Sequence, residues 1–128
     1  MSSIEDLFSF DFTGAAAGEA NAQVVVKAEH RNMSGYMHGA LPFALADSSM
    51  GEILMRRLRP EGRFCMTVEM TSRFVASAEP GETLAATPRI IHLGARSAIM
   101  EAEVRSSSGK LVLFATATFA IRDKPPAA

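Results

Sequence analysis

Residues 41–58 read LPFALADSSMGEILMRRL, and this stretch decides the fold. In the helix that it predicts, apolar side chains cover most of the circumference, and apart from one aspartate the charged residues come only from Glu52 onward. A helix that is apolar on nearly every side is typical of a protein interior. Pro42 suits a first turn, whose N–H groups lack helical partners, and Pro60 and Gly62 end the helix. The sequence therefore predicts one long buried helix.

Beyond Arg63 the apolar residues recur at every second position, which is the period of a β-strand with one buried face. The predicted inward positions are Phe64, Met66, Val68, Met70 and Phe74, then Leu84, Ala86 and Ile90, then Ala98, Met100, Ala102 and Val104, and finally Leu111, Leu113, Ala115, Ala117, Phe119 and Ile121. Turn-like segments at 78–81, 92–95 and 107–109 separate the strands. Four successive strands with short turns predict an antiparallel meander. A sheet of this kind would wrap the single helix, so the predicted fold class is α+β.

Smaller elements are predicted before the long helix. They are a short helix over 3–10 capped by Ser2 or Ser3, a connector over 14–18, and a first strand over 22–28. The whole chain, residues 1–128, is expected to be a single domain. Within it, about 1–21 form an N-terminal extension and 123–128 a flexible tail.

The composition limits the partners and the location of the protein. The net charge is −1 without any run of like charges, so the chain lacks the basic surface typical of nucleic-acid-binding proteins. The single cysteine, Cys65, excludes an internal disulfide and agrees with a reducing cytosol. No stretch reaches the roughly 18 apolar residues of a membrane span, and the acidic N-terminus differs from a signal peptide. We expect a cytoplasmic protein without a nucleic-acid or membrane partner.

Asp47 lies about two turns into the predicted helix, among apolar neighbours. Burying a charged and unpaired carboxylate costs several kcal/mol, so such a residue needs either a partner or a function. In one interpretation a nearby hydroxyl satisfies it, or it lies on a polar stripe with Ser48 and Glu52. In the other it is a catalytic general base or nucleophile. Both interpretations stay open at the level of the sequence.

The segment His38-Gly39-Ala40 opens the helix. N–H groups of a first turn have no helical acceptor and lie at the positive end of the dipole. The Gly39 amide is therefore a candidate for stabilising an oxyanion; a glycine that permits a tight entry, beside a structural His38, is the alternative. Asp47 lies about 10 Å along the helix from Ala40, at about 1.5 Å per residue. Reacting groups must approach to about 3 Å, so the acid and the amide can serve one substrate only from different subunits.

Other polar residues are weaker candidates. Asn32 offers donors and an acceptor for positioning a water or a leaving group, or it simply forms a turn. Thr67 could hold a water, or it reflects ordinary strand propensity. Cys65 is expected to be a buried, inert thiol, and the three histidines lack metal-ligand spacing, so no metal site is predicted. The turn Gly94-Ala95-Arg96-Ser97 could present backbone N–H groups to a phosphate.

Two motifs stand at a distinctive spacing. The first is His30-x-Asn32-x-x-Gly35-x-x-His38-Gly39, and the second is Leu45-Ala46-Asp47, with Asp47 nine residues after His38. Further matching segments are Thr67-Val68-Glu69-Met70, Pro80-Gly81, Gly94-x-Arg96 and Gly109-Lys110-Leu111. Over roughly residues 22–122 the chain resembles the hot-dog fold acyl-CoA thioesterases of the PaaI and 4-hydroxybenzoyl-CoA thioesterase group.

The resemblance implies a fold and an activity. It implies a long central helix wrapped by a five- or six-stranded antiparallel sheet, with subunits that pair into dimers and often further into tetramers. It also implies hydrolysis of acyl-CoA thioesters without a metal. No cofactor is expected, because coenzyme A enters only as part of the substrate.

The resemblance also assigns roles to residues. Asp47 would be the general base or nucleophile, and the Gly39 N–H would polarise the thioester carbonyl. Asn32 and His38 would shape the site, and Thr67 falls where relatives carry a water-orienting hydroxyl. Contacts with the substrate are expected at Ala40, Ser48, Gly94, Arg96 and Ser97. Ala40 replaces a second glycine of the family, so we expect its methyl group to narrow the substrate channel.

Other functions remain as alternatives. A hot-dog domain could bind acyl-CoA without hydrolysing it, as some regulatory relatives do. Such sensors usually carry an appended DNA-binding segment, and the few residues before Ala22 favour the enzyme. A hydratase or dehydratase matches poorly, because its acid and histidine stand at different spacing. We therefore predict a thioesterase for small or medium acyl or aryl-acyl groups.

Overall fold

A computed structural model describes residues 2–12 and 20–123 of the chain. The predicted connector at 14–18 and the tail from residue 124 onward lie outside the described residues. The main elements are helix α1 (Ile4–Leu7), strand β1 (Ala22–Val25), helix α2 (Ala40–Leu58) and strands β2 (Phe64–Phe74), β3 (Thr83–Leu93), β4 (Ser97–Ser106) and β5 (Leu111–Arg122). Short 3-10 turns lie at Ala28–His30 and Arg59–Glu61. The predicted α+β class is confirmed, and α2 begins one residue before the predicted start.

The strands form one antiparallel sheet in the order β1-β3-β4-β5-β2. Strands β3, β4 and β5 form the predicted meander, but β2 pairs with β5, from Phe64 opposite Arg122 to Phe74 opposite Leu113. The predicted meander of four strands is therefore wrong for β2. A period of two identifies the buried face of a strand and not its neighbour. At about 3.3 Å per residue, residues 75–82 are long enough to cross the roughly 14 Å of three strand spacings.

Helix α2 packs against one face of this sheet and supplies the centre of the core. Its buried residues are Leu41, Pro42, Leu45, Ala46, Ser49, Met50, Ile53, Leu54 and Leu58. The predicted inward residues of β4 are all buried, as are those of β5 except the first. Each fully buried leucine or methionine contributes about 1.5–3 kcal/mol relative to exposure. Within the described residues, no helix is both long and apolar enough to cross a membrane.

One stripe of α2 is left uncovered by the sheet except where Cys65 and Thr67 of β2 contact it. The partly buried residues of this stripe are Asp47, Ser48, Gly51, Glu52 and Met55. Their spacing places them on one side of a helix. The helix is therefore buried on most sides, and Asp47, Ser48 and Glu52 lie on the polar stripe that one of the two interpretations of Asp47 describes.

Strand β2 lies at an edge of the sheet and departs from the predicted alternation. A bulge at Val68 shifts its register with β5. Because a bulge inserts one extra residue, the inward positions change from odd to even numbers along the strand. Cys65 and Thr67 contact α2 before the bulge, and Met70 packs against the core after it. Met66 and Val68 were predicted to face inward, but both are exposed.

The N-terminal segment is attached to the rest of the fold. Helix α1 is shorter than the predicted 3–10, and Ser3 caps it in a capping box with Asp6, as one of the two predicted caps. The side chains of Phe8, Phe10 and Phe12 pack against the core from outside. Asp11 exchanges two backbone hydrogen bonds of 2.8 Å with Gln23 of β1. These contacts fix the position of the segment along the first strand.

Candidate active site

An open groove of about 540 Å³ lies beside the uncovered stripe of α2. The first half of β2 contributes Cys65, Met66 and Thr67 to its lining, and the N-terminal segment contributes Ser3, Glu5, Asp6 and Phe12. The groove therefore brings together three of the predicted site residues, Asp47, Ser48 and Thr67. The sequence did not predict that Ser3, Glu5, Asp6 and Phe12 form one wall of the groove, which we call the N-terminal wall. A capping pattern reveals a helix in the sequence, but it carries no signal of where that helix docks.

Asp47 and Thr67 are in direct contact in this groove. Thr67 Oγ1 donates a hydrogen bond of 2.6 Å to Asp47 Oδ1, a length typical of a hydroxyl bound to a carboxylate. The bulge at Val68 allows this contact, because it turns Thr67 toward α2. Asp47 Oδ2 has no hydrogen-bond partner among residues 2–12 and 20–123. Asp47 is thus both satisfied by a hydroxyl and available at a groove.

Two further contacts organise the polar stripe of α2. Ser48 Oγ donates to Glu5 Oε2 at 2.7 Å and so joins α1 to α2. Glu52 accepts hydrogen bonds from Arg56 at 3.3 Å and from Arg59 at 2.7 Å. The hydrogen bond from Arg59 is the main cause that holds the pKa of Glu52 below its usual value. The charge of Glu52 is therefore compensated, which favours a structural role.

Cys65 is the one nucleophilic thiol at the groove among the described residues. Burial raises the pKa of its thiol to about 11. Its Sγ lies 3.9 Å from the Gly51 carbonyl oxygen. A group with this pKa is a thiol and not a thiolate at neutral pH. The inert thiol predicted from the sequence agrees with this environment.

The amides at the start of α2 differ in what they bind. The Ala40 N–H donates to His38 Nδ1 at 2.9 Å, and the Leu41 N–H donates to the His38 carbonyl at 3.1 Å. Pro42 has no N–H. The Gly39 N–H has no acceptor within the described part of the chain. The predicted oxyanion donor is thus the amide that this helix start leaves available.

Phe74, at the far end of β2, closes over Gly39. A Cβ atom at position 39 would lie 3.0 Å from Phe74 Cε1, closer than such contacts normally occur. Phe74 itself is 60% exposed in the single chain. Since Thr67 contacts Asp47 and Phe74 contacts Gly39, the acid and the amide are associated with opposite halves of the same edge strand.

His38 and Ala40 line a separate concavity of about 230 Å³, together with His30. His38 is exposed, and because its Nδ1 accepts the Ala40 N–H, the neutral ring carries its proton on Nε2. Burial is the main cause that lowers the pKa of His30. One chain thus places His38 and Asp47 in different concavities. Across residues 2–12 and 20–123, no group of three or more His, Cys, Asp or Glu side chains is arranged to hold a metal ion.

Asn32 organises the loop before α2. Its Oδ1 accepts hydrogen bonds from the backbone N–H groups of Ser34 at 2.9 Å and Tyr36 at 3.1 Å. Asn32 therefore forms a turn, as one of the two interpretations expects. Its Nδ2 has no partner among the residues that the structure describes. A donor therefore remains available for a second role.

The turn between β3 and β4 lies outside both concavities. The Gly94 N–H donates to the Ser97 carbonyl at 2.8 Å. The tight turn therefore already uses the Gly94 donor, while the predicted phosphate contact of the turn as a whole stays a prediction. The side chains of Arg96 and Ser97 are exposed at the same turn.

Comparisons with known proteins agree with this architecture. The family model for the thioesterase superfamily matches residues 34–113. A putative esterase of Archaeoglobus fulgidus is 31% identical over 101 residues, which cover 79% of this chain but only 63% of that protein. A 1,4-dihydroxy-2-naphthoyl-CoA hydrolase of Listeria monocytogenes is 22% identical over 121 residues, covering 94% of this chain and 97% of the relative. The PaaI protein from the phenylacetic acid degradation operon of E. coli superposes with a TM-score of 0.81 at 21% identity, covering 93% of this chain and 83% of that one. The predicted hot-dog fold is thereby confirmed.

Proposed function

The chain belongs to the thioesterase superfamily, and from that premise we propose that it hydrolyses acyl-CoA thioesters to a free acid and coenzyme A. One observation carries the proposal: the carboxylate of Asp47 lies at an open groove, hydrogen-bonded to Thr67. The Listeria relative is itself named as a CoA-ester hydrolase, which supports the choice of substrate. A groove of about 540 Å³ suits a small or medium acyl or aryl-acyl group.

Asp47 is the general base of the proposed reaction. Thr67 occupies Oδ1, and Oδ2 takes a proton from the attacking water. The water oxygen bonds to the thioester carbon, and the carbonyl electrons move onto oxygen. When the oxyanion collapses, the C–S bond breaks and the proton passes to the departing thiolate. A positioned general base typically contributes about 10²- to 10⁴-fold to the rate.

The Gly39 N–H stabilises the oxyanion. It stands at the positive end of α2, and one such donor is typically worth about 10²- to 10³-fold in kcat. His38 offers its Nε2–H and Asn32 its Nδ2 donors to the thioester sulfur and carbonyl oxygen. The proposal needs no bound cofactor, since coenzyme A is part of the substrate.

The complete site requires two subunits. In the described part of the chain, strand β2 is an edge of the sheet, and its exposed apolar residues are Met66, Val68 and Phe74, followed directly by the exposed Val75. Exposed apolar edges are typical of strand pairing between chains. Two β2 strands related by a two-fold axis run antiparallel, so the Thr67 half of one lies beside the Phe74 half of the other. Asp47 of one subunit then approaches Gly39 of its partner.

The remaining contacts follow the same interface. Ser48 lies next to Asp47 in the acyl groove, and the Ala40 methyl group narrows the part of the site that the partner supplies. The turn with Gly94, Arg96 and Ser97 contacts the nucleotide phosphates of coenzyme A, chiefly through the guanidinium. In this proposal dimers associate further into tetramers, and the enzyme acts in the cytoplasm.

The proposal is tested by measuring the hydrolysis of a panel of short, long and aryl acyl-CoAs through the free thiol that each reaction releases. Asp47→Asn should lower turnover about 10³-fold while the oligomer persists. Asp123→Asn is a matched control, because this carboxylate is exposed and, among the described residues, forms an ion pair with Arg63 at 3.6 Å, away from the residues that line the groove. Turnover that Asp47→Asn leaves intact would remove the catalytic role. Acyl-CoA binding without thiol release would instead support the alternative of a non-catalytic binding module.

A further inference from the structure

The N-terminal helix is held at the groove by a polar contact and not by apolar burial. None of the residues of α1 is buried, and Leu7 is 71% exposed. Its link to α2 is the hydrogen bond of 2.7 Å from Ser48 Oγ to Glu5 Oε2. The side chain next to Asp47 thus contacts α1 directly, and Glu5 and Asp6 of α1 line the groove.

The described lining of the groove carries negative charge without a basic side chain. Its charged residues are Glu5, Asp6, Asp47 and Glu52. Arg56 and Arg59 stand behind Glu52 and compensate it. Glu5 and Asp6 have no cationic partner among the described residues; they bind the Ser48 hydroxyl and the Ser3 cap, respectively. Since carboxylates are charged at neutral pH, the groove has a negative potential around Asp47.

We propose that Glu5, supported by Asp6, determines specificity by excluding acyl groups that end in a carboxylate. A negative groove lowers the local concentration of an anionic group, and a like charge placed against the wrong substrate is an effective means of discrimination. Uncharged acyl groups meet no such repulsion and can contact Phe12, Met55 and Phe119. The inference rests on the proposed function and adds to it the class of acyl group that the site accepts.

A matched pair of substrates tests the inference. Hexanoyl-CoA and adipoyl-CoA have the same chain length and differ in a terminal methyl against a carboxylate. We expect the wild-type enzyme to prefer hexanoyl-CoA by at least about tenfold in kcat/KM. If neither ester is hydrolysed, and no other acyl-CoA is, the proposed function fails. If both are hydrolysed equally well, only the exclusion of anionic acyl groups fails.

Charge-removing variants assign the effect to the N-terminal wall. Glu5→Gln keeps an oxygen that can accept a hydrogen bond from the Ser48 hydroxyl. We expect this variant to raise the ratio of kcat/KM for adipoyl-CoA to kcat/KM for hexanoyl-CoA about threefold. Glu5→Gln combined with Asp6→Asn should raise the ratio about tenfold. Glu103→Gln removes the same charge from β4, away from the groove, and should leave the ratio unchanged. A ratio that moves equally in the Glu103 variant, or not at all in the double variant, overturns the inference.

A measurement on the wild-type enzyme covers the case in which the double variant does not fold. Salt screens exposed charges, with a Debye length of about 10 Å at 0.1 M and about 3 Å at 1 M. The preference for hexanoyl-CoA over adipoyl-CoA should therefore shrink as salt rises. A preference that is independent of salt would mean that shape and not charge excludes the carboxylate, and would contradict the proposal.

Discussion

Replacing Thr67 with valine tests the contact on which the proposed chemistry depends. Thr67 Oγ1 and Asp47 Oδ1 are 2.6 Å apart, and no other hydrogen bond to Asp47 is made by the described side chains. Valine has nearly the same shape and a high strand propensity, and Thr67 is exposed in the single chain. The variant should therefore fold normally and lose only the hydroxyl that orients the carboxylate.

The expected loss follows from the strength of this bond. A hydrogen bond to a charged group is typically worth about 1.5–3 kcal/mol. At about 1.4 kcal/mol per tenfold change in rate, kcat should fall about 10- to 150-fold. Because Thr67 acts through Asp47, KM should change little. The assay is thiol release over a range of acyl-CoA concentrations, so that kcat and KM are obtained separately.

Thr67→Ser is the matched control, because it keeps the hydroxyl at the same position. We expect it to retain most of the wild-type kcat. If Thr67→Val turns over within about twofold of the wild type, the contact does not orient the base. If both variants lose activity equally, the methyl group and not the hydroxyl matters, and the reasoning is refuted.

Two further predictions follow from the surroundings of the groove. Burial raises the pKa of the Cys65 thiol to about 11. Its alkylation by iodoacetamide at pH 8 should therefore be about a hundredfold slower than that of an ordinary thiol, and the rate should rise up to about pH 11. Alkylation as fast as that of free cysteine would contradict this prediction. Glu52→Gln should lower the free energy of unfolding by about 0.5–1 kcal/mol at pH 7, measured by denaturant titration. Arg59 lowers the pKa of Glu52 in the folded state. The stabilisation is therefore present above the unfolded pKa of 4.5 and is lost as the pH falls through the folded pKa. A difference in stability between wild type and variant that persists in acid would be inconsistent with the ion pair.

The central helix could be predicted almost to the residue. Apolar periodicity, Pro42 near its start and Gly62 beyond its end are local signals, and the structure places α2 at Ala40–Leu58. The buried faces of β4 and β5 could be predicted equally well, because the alternation of apolar and polar residues is also a local property of the sequence. What alternation cannot supply is the partner of a strand, and β2 was therefore assigned to the wrong neighbour.

The candidate site was predictable only in part. Asp47, Gly39 and Thr67 were identified from residue chemistry and from the resemblance, but the contact between Asp47 and Thr67 depends on the bulge at Val68. A bulge leaves no clear mark in a run of β-branched and polar residues. The docking of Glu5 on Ser48 joins segments 43 residues apart. Such a contact results from the folded chain as a whole and not from any local pattern.

Mixing two inactive variants tests most directly whether the acid and the amide act from different subunits. Asp47→Asn removes the base, and Gly39→Pro removes the amide N–H at a residue whose φ of −60° suits proline. Gly39→Ala, which keeps the N–H, controls for the added carbon against Phe74.

Random reassociation of the two variants should form heterodimers in half of the molecules, each with one intact site. Activity should then recover to about a quarter of the wild-type value, as two-fold symmetry requires for a shared site. Mixed dimers that form but show no more activity than the separate variants would contradict the account, because both groups would then belong to one chain.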